Sequence, residues 1–427
     1  MSEVRAGYNK TEVGVIPENW QVSDCSVLCE KIQDGTHFSP KLGGNDYLYI
    51  TSKNIRFGSL DISNVDRIDA IQHEEIYKRC DVRSGDLLLT KDGANTGNAA
   101  LNRLDEEFSL LSSVAFLRFN SEKQEAAFFL HQILSGFGQQ QIKEAMSGNA
   151  ITRLTLAKIK KLKFPVPAVG EQRAIAGALS DADALIAALD RLIAKKRDLK
   201  QAAMQQLLTG QTRLPGFCGA WQVKTLGDLF HFSGGYSASR EQLSDKGYCY
   251  LHYGDIHGSA KTIVEVEDEY QDIPKLDIRL NRVSKNALLE NGDVVFVDAS
   301  EDDEGTSKHV VVVKNSTVPF IAGLHTIVAK GLTDELTHAY KRYCFQTSSI
   351  RQQFLFYSVG TKVSGINKTN IGKLKISFPG KPEQTAIAAV LSDMDAEISA
   401  LERRRDKTRA IKQGMMQELL TGRTRLV

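Results

Sequence analysis

Apolar residues recur in steps of three and four at Ile175, Leu179, Ala182, Ile186, Leu189 and Ile193, then at Leu199, Ala203 and Leu207. That spacing lays one apolar stripe along a helix. The stripe returns at Ile387, Leu391, Met394, Ile398 and Leu401, then at Ile411, Met415 and Leu419. No proline interrupts Glu171–Gly210 or Glu383–Gly422, and a glycine closes each stretch, as helix ends prefer. The two stretches align without a gap at a constant offset of 212, pairing Glu171-Gln172 with Glu383-Gln384, Leu207-Leu208-Thr209-Gly210 with Leu419-Leu420-Thr421-Gly422, and Thr212-Arg213-Leu214 with Thr424-Arg425-Leu426. The chain is therefore two similar halves. About 38 residues of helix span about 57 Å, and so narrow a stripe on so long a helix predicts that the two helices pack on each other as an antiparallel coiled coil. Arg405 stands where Ile193 stands in the first copy, which breaks the stripe at that layer.

Between the helices the pattern changes to short strands. Tyr47–Ile50 and Tyr248–Leu251 alternate aromatic and aliphatic residues and run into polar turns. Gly85-Asp86 and Gly292-Asp293 each feed a four-residue apolar run that reads as a buried strand, followed by the polar loops 91–98 and 298–308. Further strands are expected at Val114–Phe119 and Thr326–Ala329, with helical stretches at Gln124–Met146 and Leu336–Phe356. Trp20 and Trp221, the two tryptophans, each follow a proline and precede Gln-Val, so they mark where the chain enters a globular lobe. The predicted fold is α+β: two mixed lobes alternating with two long helices. The domains are residues 1–165, a helix at 166–213, residues 214–379, and a helix at 380–427. Because the residues after Thr212-Arg213 resemble those before Trp20, the order is nearly circular, and a pseudo-two-fold relation of the halves would satisfy it.

Composition bounds the chemistry. A formal charge of +2 is too small to argue for nucleic acid by itself and does not exclude it. Six cysteines without a Cys-x-x-Cys pair predict reduced thiols in a cytoplasmic protein. No apolar run is long enough to span a bilayer, so no membrane partner is expected. Catalytic signatures are missing from the sequence. There is no Pro-Pro of an (Asn/Asp)-Pro-Pro-aromatic motif, no Gly-x-Gly after a strand, and no phosphate-binding loop, so neither a catalytic site nor a cofactor is expected. The acidic run Asp298, Glu301, Asp302, Asp303 and Glu304 reads as a solvated loop, and His252 and His257 lack the neighbours of a metal site.

Two variable lobes alternating with two near-identical helices resemble the specificity subunits of type I restriction–modification systems. The residues that carry the resemblance are Pro17/Trp20 and Pro215/Trp221, the Glu-Gln helix starts after a proline, the Leu-Leu-Thr-Gly helix ends, and Asp34-Gly35-Thr36-His37. The resemblance covers essentially the whole chain. It implies a non-catalytic reader of double-stranded DNA, in which each lobe is a target-recognition domain for half of a bipartite, asymmetric site. It further implies that the helices are spacers docking two methyltransferase (modification) subunits for adenine, and that two restriction (translocase–nuclease) subunits complete the complex.

Base edges are read by polar and charged side chains on loops. The candidates in the first lobe are Thr36, His37, Ser52, Lys53, Asn54, Lys91, Asn95 and Thr96. Those in the second are Tyr236, Ser237, His252, Tyr253, Asp255, Ser300 and Lys308. Thr152, Arg153, Lys158, Lys362 and Lys368 lie in basic segments suited to phosphate. Each is equally well explained as a loop residue that meets water. The helix cations Arg191–Lys200 and Arg403–Lys412 read as solvated faces or as docking surfaces. An autonomous DNA-binding regulator and a coiled-coil adaptor that binds protein fit the same residues.

Overall fold

Each long repeat folds as one uninterrupted helix, Val169–Leu207 and Lys381–Leu419, 39 residues apiece. The computed structural model of the protein describes residues 6–146, 153–259, 261–300, 308–358 and 364–426. It comprises two compact units, Met1–Arg191 with Glu402–Val427, and Leu192–Leu401. The division falls within the helices, so each unit holds one lobe and a part of both helices.

Within each unit the helices run antiparallel and their ends are built into the lobe core. In the first, Ile175, Ala176 and Leu179 pack with Leu419 and Leu420 around Trp20, Phe128, Phe129 and Phe164. In the second, Met204, Leu207 and Leu208 join Ile387, Ala388 and Leu391 around Leu226, Tyr340 and Tyr343. Toward the helix middles Leu189, Ile193 and Ile398 of the predicted stripe stay buried, and ion pairs join the helices beside them. Lys412 contacts Asp183 at 2.6 Å, and Arg409 and Arg405 reach Asp190 at 2.9 and 3.5 Å. In the second unit Lys200 contacts Asp395 at 2.5 Å and Lys196 contacts Glu397 at 2.6 Å. These cations therefore tie helix to helix, which corrects the reading of the whole cluster as a solvated or docking face. Leu199 and Ile411, counted in the predicted stripe, are about half exposed. A straight helix drifts out of register with a fixed stripe, so the inward positions there are Lys200 and Lys412 instead.

The lobes share a scaffold. In the first lobe an antiparallel sheet runs in the order Cys29–Asp34, Val114–Phe119, Leu87–Thr90, Ala99–Leu101. The second has Phe230–Gly234, Thr326–Gly331, Val294–Val297, His309–Val313, with Ile263–Glu265 added in parallel at the edge. Leu87–Thr90 and Val294–Val297 are buried along their whole length, which is why they read as unbroken apolar runs. A smaller sheet pairs Tyr47–Ile50 with Phe108–Leu110, and Tyr248–Leu251 with Phe320–Ala322, both in parallel. The first strand of each lobe pairs with its last, Gln21–Asp24 with Lys163–Val166 and Gln222–Thr225 with Lys375–Phe378. Each expected long helical stretch is two helices: Ala126–Leu134 and Gly136–Met146, and His338–Cys344 and Ser348–Tyr357. A capping hydroxyl inside each run starts the second helix, Ser135 accepting from Gly138 N–H and Thr347 from Ile350 N–H.

The repeated motifs meet at one joint per unit. Trp20 Nε1–H donates to Glu171 Oε2 at 3.1 Å, and Arg425 Nη2 donates to the same oxygen at 2.7 Å while its guanidinium lies over the Trp20 ring. In the second unit Arg213 Nη2 donates to Glu383 Oε2 at 2.6 Å and its guanidinium covers Trp221. Gln172 and Gln384 each donate to the carbonyl five residues before, of Pro167 and Pro379, and each accepts the N–H at the head of a lobe helix, from Glu125 and Thr337. Gly210 and Gly422 have φ of +71° and +68°, and a Cβ on either would press the neighbouring tryptophan ring at 3.2 Å. All six cysteines are unbridged. Among the described residues no helix is long and apolar enough to cross a membrane.

Candidate nucleic-acid interface

The polar loops gather at one end of each lobe because they are the tips of neighbouring strands. The first is fixed by a glycine: a Cβ on Gly35 would lie 2.0 Å from Leu110 O, and on Gly235 it would lie 1.9 Å from Gly323 O. Only glycine lets the chain cross here. The next residue then donates its N–H across the crossing, Thr36 to Leu110 O at 2.8 Å and Tyr236 to Ala322 O at 2.7 Å. Thr36 and Tyr236, both sequence candidates, thus occupy the same place in the two lobes.

In the first lobe Asp34 forms an ion pair with Lys91 at 3.1 Å and lies 3.4 Å from His37 Nε2. Both members of the pair are buried, whereas His37 is half exposed. Ser52 N–H donates to Ser113 Oγ at 3.3 Å, and Asn95 Nδ2 donates to Ser52 O at 3.4 Å. Arg153 pairs with Asp92 at 3.6 Å, and Leu154 N–H donates to Lys91 O. The structure therefore brings Thr36, His37, Ser52, Lys91, Asn95 and Arg153 together, with Thr96 on the same loop, held to Gly93 O at 2.7 Å. Lys53 projects exposed beside them. Lys158 is set apart on the helix Leu156–Lys160.

Direct contact does not carry over to every candidate. Lys91 is 2% exposed and serves Asp34. Asn54 is buried, accepts from Thr51 N–H at 3.0 Å and donates to Asp61 O at 3.1 Å, so it shapes its turn. His252 is buried and caps the helix Tyr253–His257 by accepting from Gly254 N–H at 3.1 Å. Burial and the Arg240 charge push the His252 imidazole below its ordinary pKa. Thr36 is buried as well, and its Oγ1 accepts from Phe38 N–H at 3.2 Å.

In the second lobe Ser237 is exposed and Tyr253 half-buried, while Asp255 forms an ion pair with Arg240. Lys308 Nζ donates to His257 O at 2.6 Å, and the Lys368 ammonium stands beside Gly234. Ser300 lies on the short strand Ala299–Ser300, paired with Ser364–Gly365. Thr152 and Lys362, and Glu301 to Glu304 of the acidic run, lie outside the described residues.

Sequence reasoning missed His325. It is the one non-glycine residue with positive φ among the described residues, at +56°. Its ring lies edge-to-face with Tyr253 at 5.4 Å, and its Nδ1 is 3.3 Å from Asp298 Oδ1. Burial raises the Asp298 pKa, and the interaction with the neighbouring imidazole opposes that rise. Nothing in Gly323-Leu324-His325-Thr326 signals a paired, strained histidine, because the partner acid is distant in sequence. Asp34 was legible as part of its motif, but its bond to Lys91 was not. Among the described residues no group of three or more His, Cys, Asp or Glu gathers to hold a metal ion.

Comparison with known proteins agrees with this duplicated arrangement. The family model described as type I restriction modification DNA specificity domain matches twice, at residues 17–195 and 219–409. The chain is 24% identical over 440 residues to the putative type I restriction enzyme MjaX specificity subunit of Methanocaldococcus jannaschii, covering 98% of this chain and 97% of that one. It is 23% identical over 417 residues to the type I restriction enzyme StySPI specificity subunit of Salmonella potsdam, covering 91% and 85%. In fold it is similar to the crystal structure of the type I restriction-modification S subunit from M. genitalium, with a TM-score of 0.56 at 14% identity and 98% of each chain covered. A second solved type I system chain aligns with a TM-score of 0.55 at 16% identity, over 95% of this chain and 99% of its own. The chain belongs to the DNA specificity subunits of type I restriction–modification systems.

Proposed function

We propose that each lobe reads one half of a bipartite, asymmetric double-stranded DNA site and that the helix pair sets the gap between the halves. Residues 1–165 and 214–379 are the reading domains, and residues 166–213 and 380–427 are the spacers. A helix of 39 residues extends about 58 Å, more than the 34–36 Å of one DNA turn, which supports a split site with unread base pairs between its halves. The observation that carries the reading is that equivalent strand tips hold different polar groups, Thr36 against Tyr236 and Lys91 against Asp298. A common scaffold with exchanged tips suits two different half-sites. Thr36, His37, Ser52, Lys53, Asn95, Thr96, Tyr236, Ser237, Tyr253, Asp255, Ser300 and Lys308 are the set from which base contacts are drawn in this reading. Thr152, Arg153, Lys158, Lys362 and Lys368 hold phosphates. In this reading the spacers dock two adenine methyltransferase subunits, joined by two restriction subunits in the full complex, in the cytoplasm.

The test is a lobe exchange read by methylome mapping. Replacing residues 20–165 with those of a relative should rewrite one half of a split N6-methyladenine motif and leave the other half and the gap unchanged. A change in both halves refutes modular reading. A chain that binds duplex DNA yet never co-purifies with a methyltransferase subunit would instead be an autonomous regulator.

A further inference from the structure

The two lobes can be aligned rung by rung through their central strand pair. In the first lobe Thr90 faces Val114, and one residue further Lys91 N–H donates to Ser113 O at 2.9 Å. In the second Val297 faces Thr326, and one residue further Asp298 N–H donates to His325 O at 3.1 Å. On the other side Lys91 O accepts from Leu154 N–H and Asp298 O from Ile366 N–H, both at 2.8 Å. Lys91/Ser113 and Asp298/His325 are thus the same rung, held by the same backbone bonds and carrying opposite chemistry.

In the first lobe that rung faces inward: Lys91 is buried on Asp34 and Ser113 Oγ accepts from Ser52 N–H. In the second the acid is part-buried and the histidine is turned out, with a side chain 49% exposed. The left-handed backbone at His325 is sparsely populated for residues other than glycine, and such conformations cluster where a site needs them. Asp298 Oδ1 lies 3.3 Å from Nδ1 on one side and the Tyr253 ring packs against the imidazole from another. With Nδ1 facing the carboxylate, Nε2 is the nitrogen left for a ligand, and in the tautomer whose Nδ1–H faces Asp298 it carries the lone pair that accepts a hydrogen bond.

We propose that His325 is a specificity-determining residue of the second lobe, reading one base pair of its half-site through Nε2, with Asp298 and Tyr253 as positioning residues. The matching group on DNA is an exocyclic amine in the major groove, adenine N6 or cytosine N4. The proposal rests on the reading that this lobe recognises DNA.

The test is selection of a randomised duplex library by the full chain, comparing wild type, His325→Asn, Asp298→Asn, and a chain whose residues 214–379 are exchanged for a relative's. Asparagine tolerates the left-handed backbone, so His325→Asn is expected to keep the thermal unfolding midpoint. It should cost about 5- to 150-fold in discrimination at one base pair, in the half-site that the lobe exchange rewrites, and Asp298→Asn should weaken the same base pair. An unchanged profile for His325→Asn beside a rewritten half-site for the exchange overturns the inference alone. Uniform weakening on all sequences makes His325 a backbone contact and also overturns it. If the lobe exchange leaves the site unchanged, the underlying reading fails.

Discussion

Trp20, Glu171 and the part-exposed Arg425 form a trio in which one buried carboxylate serves both an indole N–H and a guanidinium. At the equivalent joint Glu383 binds Arg213, but Trp221 Nε1 is buried with no hydrogen-bond partner among the described residues. Glu171→Ala therefore strands one more buried donor than Glu383→Ala and should cost about 1–3 kcal/mol more, measurable by urea unfolding of the two variants. Gly422→Ala forces an L side chain into the left-handed region and against Pro17 and Trp20. It should lower stability by about 1–2 kcal/mol without changing the recognised site. His131 gives a pH signature: burial, with the nearby Lys412 charge added, pushes its imidazole down to about 4, and Asp183 only partly opposes this. The unfolded chain takes up this proton near pH 6.5 while the fold refuses it until about pH 4. Stability is therefore intact above 6.5 and falls by about 3 kcal/mol on acidification toward 4. Thermal unfolding of His131→Gln should show a shallower loss across that window. The duplicated letters Trp, Glu-Gln and Thr-Gly-x-Thr-Arg were legible in the sequence as motifs. Their meeting at one joint was not, because Arg425 and Glu171 are joined only by the tertiary fold.

The long helices show where periodicity is a sound guide and where it fails. Their existence and length follow from the apolar steps and the missing prolines, and their antiparallel pairing from the nearly circular order of the two halves. The stripe fails at Leu199 and Ile411, which point outward, and at Arg405, which meets Asp190. The stripe holds at Leu189, Ile193 and Ile398, which are buried, but hydrophobicity alone does not signal the ion pairs beside them. These pairs are part-exposed, so each is worth little: Lys412→Ala or Lys200→Ala should shift stability by less than about 1 kcal/mol. The lobe strands were legible as apolar runs, while the breaks at Ser135 and Thr347 were not, since a single capping hydroxyl hides inside a helical pattern. The reading loops were legible only as polar segments. The burial of Lys91, Asn54 and His252 and the left-handed backbone of His325 were not legible there, because both are set by the tertiary fold.

At the scale of the whole molecule, the proposal that the helix pair sets the gap between half-sites makes a quantitative demand. Seven residues added to both helices at matched levels, between Asp190 and Lys196 in one and between Glu397 and Arg405 in the other, lengthen the pair by about 10 Å. The gap in the methylated motif should grow by about three base pairs with both half-sites intact; a changed half-site would sever spacing from the helices. The duplicated joint has a consequence in heredity. Both lobes are closed by the same set, a tryptophan from the lobe, a glutamate from the helix that follows it and an arginine from the end of the other helix. A lobe gained by recombination between genes that share these flanks brings half of its lock and finds the other half waiting. New specificity can then arise in a single genetic exchange, without passing through intermediates that no longer fold.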